Sequence, residues 1–431
     1  MAAPDDRRQP QPSLTIPGRH VNTPRMDAFV LAVFILVYVG MFLGRLPGLA
    51  VDRTGVALLG AIALLVGGRL DGAQARDSVD VTTLGLLFGL MVVSAQFRLG
   101  GAYSALTRRI AAANVGPEGF LALVIAASGA LSAVLANDVV CLAMTPLLIE
   151  GCARRGLKPM PFLLALACAS NVGSAATIIG NPQNMLIGQA LGLSFGAYLV
   201  DGGVPAALGL AATWWIIRRR YRGAWTAPAP VIHVEAPAFN AWQTAKATLV
   251  TAALIGVFLV APWPREIVAL AAAGLLLLSR RMHSRDMLGL VDWQLLVLFI
   301  GLFVVNHALE ASGTLGAMLT AARDVGVDPD RPAHLFILTV ILSNFVSNVP
   351  AVMLLLPASD HALAGPILAL SSTLAGNLLL VGSIANLIVA DQAARLGVRL
   401  TWSEHARTGV PVTLATLAIA AGWLTWRATG G

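Results

Sequence analysis

Polar interruptions in two long apolar runs carry side chains that can bind a small ion. The first is Asn137-Asp138 within residues 119–149, and the second is Ser347-Asn348 within residues 333–359. Carboxamide, carboxylate and hydroxyl oxygens can ligate a cation, and a carboxylate can hold a proton. Each run is too long for one straight bilayer crossing and too short for two. The sequence therefore predicts two re-entrant hairpins whose polar tips lie near the middle of a membrane.

The run after each hairpin is interrupted by the pattern G-x-x-x-N. The two copies read Gly180-Asn181-Pro182-Gln183-Asn184 and Gly382-Ser383-Ile384-Ala385-Asn386. Pro182 cannot continue a helical hydrogen-bond ladder, so we expect a broken helix there. A broken helix exposes N–H groups, which favour an anion, and C=O groups, which favour a cation.

The four interruptions together predict one site for a substrate and a coupling ion. The expected substrate ligands are Asn137, Asn184, Ser347, Asn348, Ser383 and Asn386. The expected coupling-ion ligands are Asn137, Asp138, Gly180, Asn181 and Gly382, with Asn137, Asp138 and Gly180 as the candidate Na⁺ site. Asp138, the one acid deep in a long apolar run, is a candidate Na⁺ ligand or proton carrier. No catalytic residue and no cofactor beyond the coupling ion is expected.

The elements that hold these residues must be membrane helices. Of 431 residues, 57% are hydrophobic and only 12% are charged, and the basic residues sit in short clusters between apolar runs. This composition excludes a soluble enzyme and, despite the net charge of +7, a nucleic-acid-binding domain. The expected partners are the lipid bilayer and a small anion, and the expected location is the cytoplasmic membrane, crossed several times.

The chain contains two copies of one unit. Val79-Asp80 and Gly89-Leu90 recur at one constant offset in residue number as Val291-Asp292 and Gly301-Leu302, and Gly101 recurs at the same offset as Gly313. Each unit has five predicted crossings in addition to its hairpin, and an odd number of crossings inverts the second unit. We predict an all-α polytopic membrane protein with two inverted repeats of five transmembrane helices, each with a re-entrant hairpin and a broken helix. The predicted parts are a polar tail (1–26), the first repeat (27–217), a linker (218–242) and the second repeat (243–427).

Two further patterns have competing interpretations. Gly192-Leu193-Ser194-Phe195-Gly196 matches the G-x-S-x-G motif of serine hydrolases but lacks the strand–turn–helix context of that motif, so an intramembrane hydrolase is a remote alternative. His307 and Glu310 lie near the end of the apolar run 293–311 and could face a cavity, although placement at the membrane interface is favoured.

Several stretches resemble the ion transporter superfamily of divalent anion/sodium symporters, citrate–metal transporters and arsenite permeases. Residues 136–146 resemble its first hairpin, residues 170–184 its first broken helix, and Ser347-Asn348-Val349-Pro350 its second hairpin. The dicarboxylate branch carries Ser-Asn-Thr at both tips, whereas this chain has Ala-Asn-Asp and Ser-Asn-Val. The Asn-Asp pair is similar to arsenite permeases, and the Gly-Asn-Pro-Gln-Asn break is closest to anion permeases. The resemblance implies a homodimer with a moving transport domain.

These observations predict a secondary active transporter of a small anion, a di- or tricarboxylate or an inorganic oxyanion, coupled to Na⁺ or H⁺. An arsenite exporter and a cation/proton antiporter of the same fold are the alternatives. The sequence leaves open the identity of the anion, the coupling ion and the direction of transport.

Overall fold

The computed structural model describes residues 27–44, 48–227 and 233–430. These residues form an all-helical fold in which one isolated β-bridge joins Leu157 and Thr226. The predicted polar tail 1–26 and residues 228–232 of the predicted linker lie outside the described residues.

The described residues contain twenty α-helices in two sets of ten. The first set is α1 (Ala28–Leu43), α2 (Arg53–Val66), α3 (Gly72–Asp77), α4 (Val81–Leu99), α5 (Ala102–Ala112), α6 (Pro117–Val134), α7 (Asn137–Arg154), α8 (Met160–Ser174), α9 (Pro182–Ala190) and α10 (Phe195–Arg220). The second set is α11 (Ala241–Val260), α12 (Arg265–Leu277), α13 (Ser284–Leu288), α14 (Trp293–Ala311), α15 (Thr314–Asp324), α16 (Pro332–Val346), α17 (Asn348–Leu355), α18 (Ala364–Ala375), α19 (Ile384–Arg395) and α20 (Trp402–Ala428).

The two sets follow the same order. The helices α2, α3, α4 and α5 begin at positions 53, 72, 81 and 102, and their counterparts α12, α13, α14 and α15 begin at positions 265, 284, 293 and 314, which is one constant offset. The offset shortens slightly between α7 and α17 and further between α9 and α19, because the intervening loops differ in length. The helix order therefore follows the duplication in the sequence, and the inversion of the second unit stays a prediction.

The repeated residues perform the same structural task in each half. The side chain of Asp80 accepts hydrogen bonds from the N–H groups of Thr82 and Thr83 and caps α4, and Asp292 accepts from the N–H of Leu295 and caps α14. Gly101 (φ 71°) and Gly313 (φ 73°) take up the left-handed conformation between the capped helix and the next one.

The repeated glycines Gly89 and Gly301 bring the two halves into contact. A methyl group on Gly89 would lie 2.6 Å from the backbone of Ala269, and one on Gly301 would lie 2.8 Å from the backbone of Ala57. Only glycine permits this approach, through which α4 packs on α12 and α14 packs on α2. Because each contact joins a helix of one half to a helix of the other, the two halves share one core.

Six described helices are long and apolar enough to cross a membrane: α4, α6, α10, α11, α14 and α20. The first arm of the first hairpin, α6, is among them, and Leu135 and Ala136 connect it to the second arm, α7. The short helices α3, α5, α13 and α15 were not predicted. They combine apolar and polar residues in brief segments, which a search for long apolar runs does not detect.

Candidate functional site

Asn171 on α8 connects the first hairpin to the second broken helix. Its Oδ1 accepts hydrogen bonds from Asn137 Nδ2 (3.3 Å) and Ser383 Oγ (2.8 Å). Its Nδ2 donates to Asn377 Oδ1 (2.8 Å) and Asn386 Oδ1 (3.1 Å). Three of the predicted ligands, Asn137, Ser383 and Asn386, thus meet in one buried network that spans both halves of the chain.

The first break lies between α8 and α9, and its own side chains hold it in place. Asn181 Oδ1 caps α9 by accepting from the N–H of Asn184 (2.9 Å), while Asn181 Nδ2 donates to Ser174 Oγ (3.0 Å) and Thr373 Oγ1 (3.1 Å). Asn184 Nδ2 donates to the carbonyl of Thr177 (3.0 Å), and Asn184 Oδ1 accepts from Thr373 Oγ1 (3.3 Å). The carboxamides of both asparagines are therefore engaged within the protein.

Gly180 and Gly382 differ in the space around them. A methyl group on Gly180 would lie 2.2 Å from the carbonyl oxygen of Ser174, whereas one on Gly382 would lie 3.0 Å from Asn344 Oδ1 and from the carbonyl of Gly376. The first glycine is thus required for close packing, and the second faces polar oxygens.

The second break, between α18 and α19, repeats the arrangement of the first. Ser383 caps α19 by accepting from the N–H of Ala385 (3.2 Å), and Asn386 Nδ2 donates to the carbonyls of Gly376 (2.8 Å) and Leu379 (3.4 Å). In both copies, the final asparagine of the G-x-x-x-N pattern therefore donates to carbonyls of the non-helical segment that precedes α9 or α19. This shared contact explains why a break forms in the second copy, which has no proline.

The tip of the second hairpin carries two carboxamide oxygens without a partner. Ser347 has a φ of 79° and separates α16 from α17. Asn344 Oδ1 and Asn348 Oδ1 are buried and accept no hydrogen bond from the residues that the structure describes. Asn344 lies one turn before the tip and also faces Gly382. These oxygens make the junction of the second hairpin with the second break a candidate cation site.

The second arms of both hairpins begin without a side-chain cap. This holds for α7, which starts at Asn137, and for α17, which starts at Asn348. In contrast, side-chain oxygens of Asn181 and Ser383 cap α9 and α19. The N–H groups at the two hairpin tips are therefore available to an anion, whereas the caps at the breaks each occupy one N–H, that of Asn184 or Ala385.

Two helices at equivalent positions of the repeat contact the hairpin tips. On α4, Ser94 Oγ accepts a hydrogen bond from the N–H of Ala136 (3.3 Å). Asn306, the counterpart of Ser94 on α14, lies 2.9 Å from the hydroxyl of Tyr38, which is also within donating distance of the carbonyl of Pro350 (3.2 Å). Each tip is thus held by a polar contact to the packed helices around it.

Asp138 lines a cavity of about 230 Å³ beside the first hairpin, here called the Asp138 cavity. Its polar lining residues are Arg98, Asn137, Asp138, Asn181 and Asp292, and the rest of its wall is mostly apolar. Arg98 lies in the last turn of α4, and Asp292 caps the start of α14. Two predicted ligands, Asn137 and Asn181, therefore share this space with the acid.

A second cavity of about 410 Å³, here called the His307 cavity, is lined by Asp80, Asn306, His307 and Glu310 among mostly apolar residues. It lies between the start of α4 and the end of α14, whereas the Asp138 cavity lies between the end of α4 and the start of α14. Each helix is about 28 Å long at 1.5 Å per residue, so the two cavities are well separated. The helices α4 and α14 therefore run in opposite directions where they flank the two cavities. His307 and Glu310 line this cavity at the end of α14, and their placement at the membrane interface stays a prediction.

Arg98 and Asn344 were not predicted as site residues. Arg98 ends an apolar run, where basic residues commonly anchor a helix at the interface, and Asn344 lies one helical turn before Asn348. Its spacing of one helical turn from Asn348 was the sequence signal that could have identified Asn344 as a site residue. No group of three His, Cys, Asp or Glu side chains suited to a metal occurs among the described residues.

Comparison with known proteins finds relatives over most of the chain. The profile of the family described as "Citrate transporter" matches residues 29–367. The silicon efflux transporter LSI3 of Oryza sativa subsp. japonica is 29% identical over 86% of this chain and 92% of its own length. A 46 kDa membrane protein of Mycobacterium leprae is 25% identical over 92% of this chain and 97% of its own length.

Among solved structures, the YdaH transporter of Alcanivorax borkumensis shares the fold, with a TM-score of 0.59, 16% identity, and coverage of 93% of this chain and 97% of that one. These relatives are transporters or membrane proteins, and the Ser194 hydroxyl merely caps α10 by accepting from the N–H of Ala197. The hydrolase alternative is therefore set aside. The chain belongs to the citrate transporter (CitMHS) family and is a multi-pass membrane transporter.

Proposed function

We propose that this transporter moves a small anion, a carboxylate or an inorganic oxyanion, across the cytoplasmic membrane and couples that movement to Na⁺ or H⁺. The observation that carries the proposal is the buried network around Asn171, which joins the first hairpin and the second broken helix. A site made from both halves of a repeat can be reached from either side as the halves move relative to each other.

The two kinds of ligand have separate supports within this site. The uncapped N–H groups at the starts of α7 and α17 favour an anion. The unpartnered oxygens of Asn344 and Asn348 favour a cation, as does the carboxylate of Asp138 at the other tip. We also propose that residues 27–217 and 243–427 form inverted repeats and that the protein works as a homodimer.

Uptake into proteoliposomes tests this function. Citrate, succinate, sulfate, phosphate and arsenite are supplied outside, with an inward gradient of Na⁺, of H⁺ or of neither. We expect uptake of at least one anion that depends on one of the two gradients. The variants Asn137→Ala and Asn348→Ala should abolish uptake while the purified protein keeps its melting temperature within a few degrees. Full uptake by both variants would contradict the site.

A second candidate is an exporter of arsenite or a related oxyacid. The Asn137-Asp138 tip resembles arsenite permeases, and the relative LSI3 is named a silicon efflux transporter. The same vesicles separate the two functions: loss of preloaded arsenite or silicate, with no uptake of any anion, would favour the exporter. Exchange of Na⁺ for H⁺ with no dependence on any of these solutes would favour a cation/proton antiporter.

A further inference from the structure

The Asp138 cavity contains one basic residue, Arg98, in the last turn of α4. Arg98 is half-buried, and its guanidinium makes no side-chain hydrogen bond or ion pair with any residue that the structure describes. A guanidinium has five N–H donors, and leaving them unused in a partly buried position is costly. The cavity in front of it is therefore the place where a partner would be stabilised.

Other half-buried arginines of this chain are used differently. Arg53 donates to the carbonyl of Met41, Arg155 donates to the carbonyls of Ala111, Ala113 and Val115, and Arg265 donates to those of Gly188 and Leu193. These three side chains close loops or helix ends. Arg98 donates no such hydrogen bond among the described residues, so its N–H groups remain available to a ligand in the cavity that it lines.

Two carboxylates share the cavity with Arg98. Asp292 is exposed and already caps α14, and Asp138 lines the same cavity. With both carboxylates charged, the cavity is net negative and opposes an anion. A coupling cation held at Asn137 and Asp138 removes that opposition and leaves the guanidinium as the group that attracts a negative substrate.

We propose that Arg98 binds the anionic substrate directly and selects for its charge, facing the cation-loaded tip of the first hairpin across the Asp138 cavity. This inference rests on the proposed anion transport and deepens it. A planar guanidinium binds carboxylates and oxyanions through two parallel hydrogen bonds, which a single ammonium cannot reproduce. The substrate class that fits is a carboxylate or a tetrahedral oxyanion.

The His307 cavity has a side chain of opposite charge at the position equivalent to Arg98. Glu310 follows Arg98 at the same offset that relates α4 to α14, so the same place on the repeated helix carries a negative charge. No Lys or Arg lines that cavity among the described residues. Of these two cavities, only the Asp138 cavity has a basic residue that favours an anion. We therefore expect the anion to bind there, beside the first hairpin.

The test measures initial uptake rates in proteoliposomes for Arg98→Gln, Arg98→Lys and the control Arg76→Gln. Arg76 is exposed and pairs with its neighbour Asp77, so its loss should leave transport unchanged. The probes are citrate, sulfate and phosphate, and arsenite serves as a probe that is uncharged at neutral pH. For the transported anion we expect KM to rise roughly 10- to 100-fold in Arg98→Gln and several-fold in Arg98→Lys, with the maximal rate little changed. Any transport of arsenite should keep its KM.

An unchanged KM for the anion in Arg98→Gln overturns the inference. If Arg98→Gln does not fold, Arg98→Lys, which keeps the charge, provides the test. A KM for the anion equal to that of the wild type would then overturn the inference. Equal losses for the anion and for arsenite would mean that Arg98 acts on structure, which also contradicts the proposal. If the wild-type protein transports arsenite but none of the three anions, the proposed function itself fails, and the role of Arg98 fails with it.

Discussion

The two halves of this protein repeat one architecture but leave different atoms free. At the first break the carboxamides of Asn181 and Asn184 are engaged by Ser174, Thr177 and Thr373. At the second hairpin, by contrast, the oxygens of Asn344 and Asn348 have no hydrogen-bond partner among the described residues.

This difference in hydrogen bonding distinguishes two roles of asparagine in the protein. An asparagine whose donors and acceptors are all engaged holds the backbone in place, and its removal costs stability. A buried asparagine oxygen that no protein group reaches can accept from water or ligate an ion, so its removal should affect binding more than stability. The halves also differ in charge at equivalent positions of the repeat. Asp138 corresponds to Val349, and Arg98 corresponds to Glu310, so the two halves offer different side chains to a ligand.

The largest contrast is expected at the two glycines of the G-x-x-x-N pattern. Gly180→Ala places a methyl group 2.2 Å from the carbonyl oxygen of Ser174, so it should destabilise the protein by about 3 kcal/mol or more and reduce the folded yield. Gly382→Ala meets its neighbours at 3.0 Å and should fold. Melting temperature and monodispersity in detergent check both variants, and equal stability would mean that the first break is looser than its geometry implies.

A smaller contrast is expected between Asn184 and Asn344. Asn184→Ala leaves buried partners without hydrogen bonds and should cost about 2 kcal/mol. Asn344→Ala removes an unpaired oxygen and one hydrogen bond, from Nδ2 to the carbonyl of Val340 in the same helix (2.9 Å), so stability should change less than in Asn184→Ala, while the apparent affinity for the coupling ion should fall about tenfold. Thermal melts and the ion dependence of uptake measure the two effects. A large loss of stability with no change in ion dependence for Asn344→Ala would remove it from the site.

The smallest contrast concerns the loops that precede the two hairpins. Arg155 donates to the carbonyls of Ala111, Ala113 and Val115 in the first loop, and Arg155→Ala should cost about 2 kcal/mol. In the second loop the exposed Arg323 pairs with Asp328 and Asp330. Arg323→Ala should have a measurable but clearly smaller effect, because solvent screens the pair.

The effect of Arg323→Ala should also depend on pH in a defined direction. The hydrogen bond from Arg323 lowers the pKa of Asp328 below its ordinary value. A lowered folded-state pKa gives stability that is present above the unfolded value of about 3.9 and is lost as the pH falls through the folded value. The difference between wild type and Arg323→Ala should therefore be present at pH 7 and disappear in acid, and a difference that grows in acid would contradict the pairing.

The sequence predicted those features that depend on local pattern. The Val-Asp and Gly-Leu repeats, Gly101 and Gly313 each correspond to a cap, a helix contact or a turn that recurs in both halves. The tips and breaks were found because a polar residue in a long apolar run is conspicuous.

The features that sequence reasoning missed depend on distant contacts. Whether Arg98 anchors a helix at the interface or lines a cavity is decided by α14, which belongs to the other half of the chain. The distinction between Asn184 and Asn344 likewise depends on whether Thr373 and other partners lie within reach. Such neighbours leave no trace in local spacing, so the sequence indicates which polar residues interrupt the apolar runs but not which of their atoms are engaged within the protein.

The contact of the Tyr38 hydroxyl with the second hairpin favours the arrangement in which this hairpin packs against α14. The hydroxyl donates to Asn306 Oδ1 on α14 (2.9 Å) and lies 3.2 Å from the carbonyl of Pro350 at the second hairpin, so the two acceptors share its single proton while the hairpin packs against α14. A full hydrogen bond contributes about 1 kcal/mol net, so the shared contact to Pro350 would favour the arrangement described here by at most about fivefold. If the hairpin moves during transport, a bound ligand with modestly different affinities for the two arrangements would be enough to reverse such a preference.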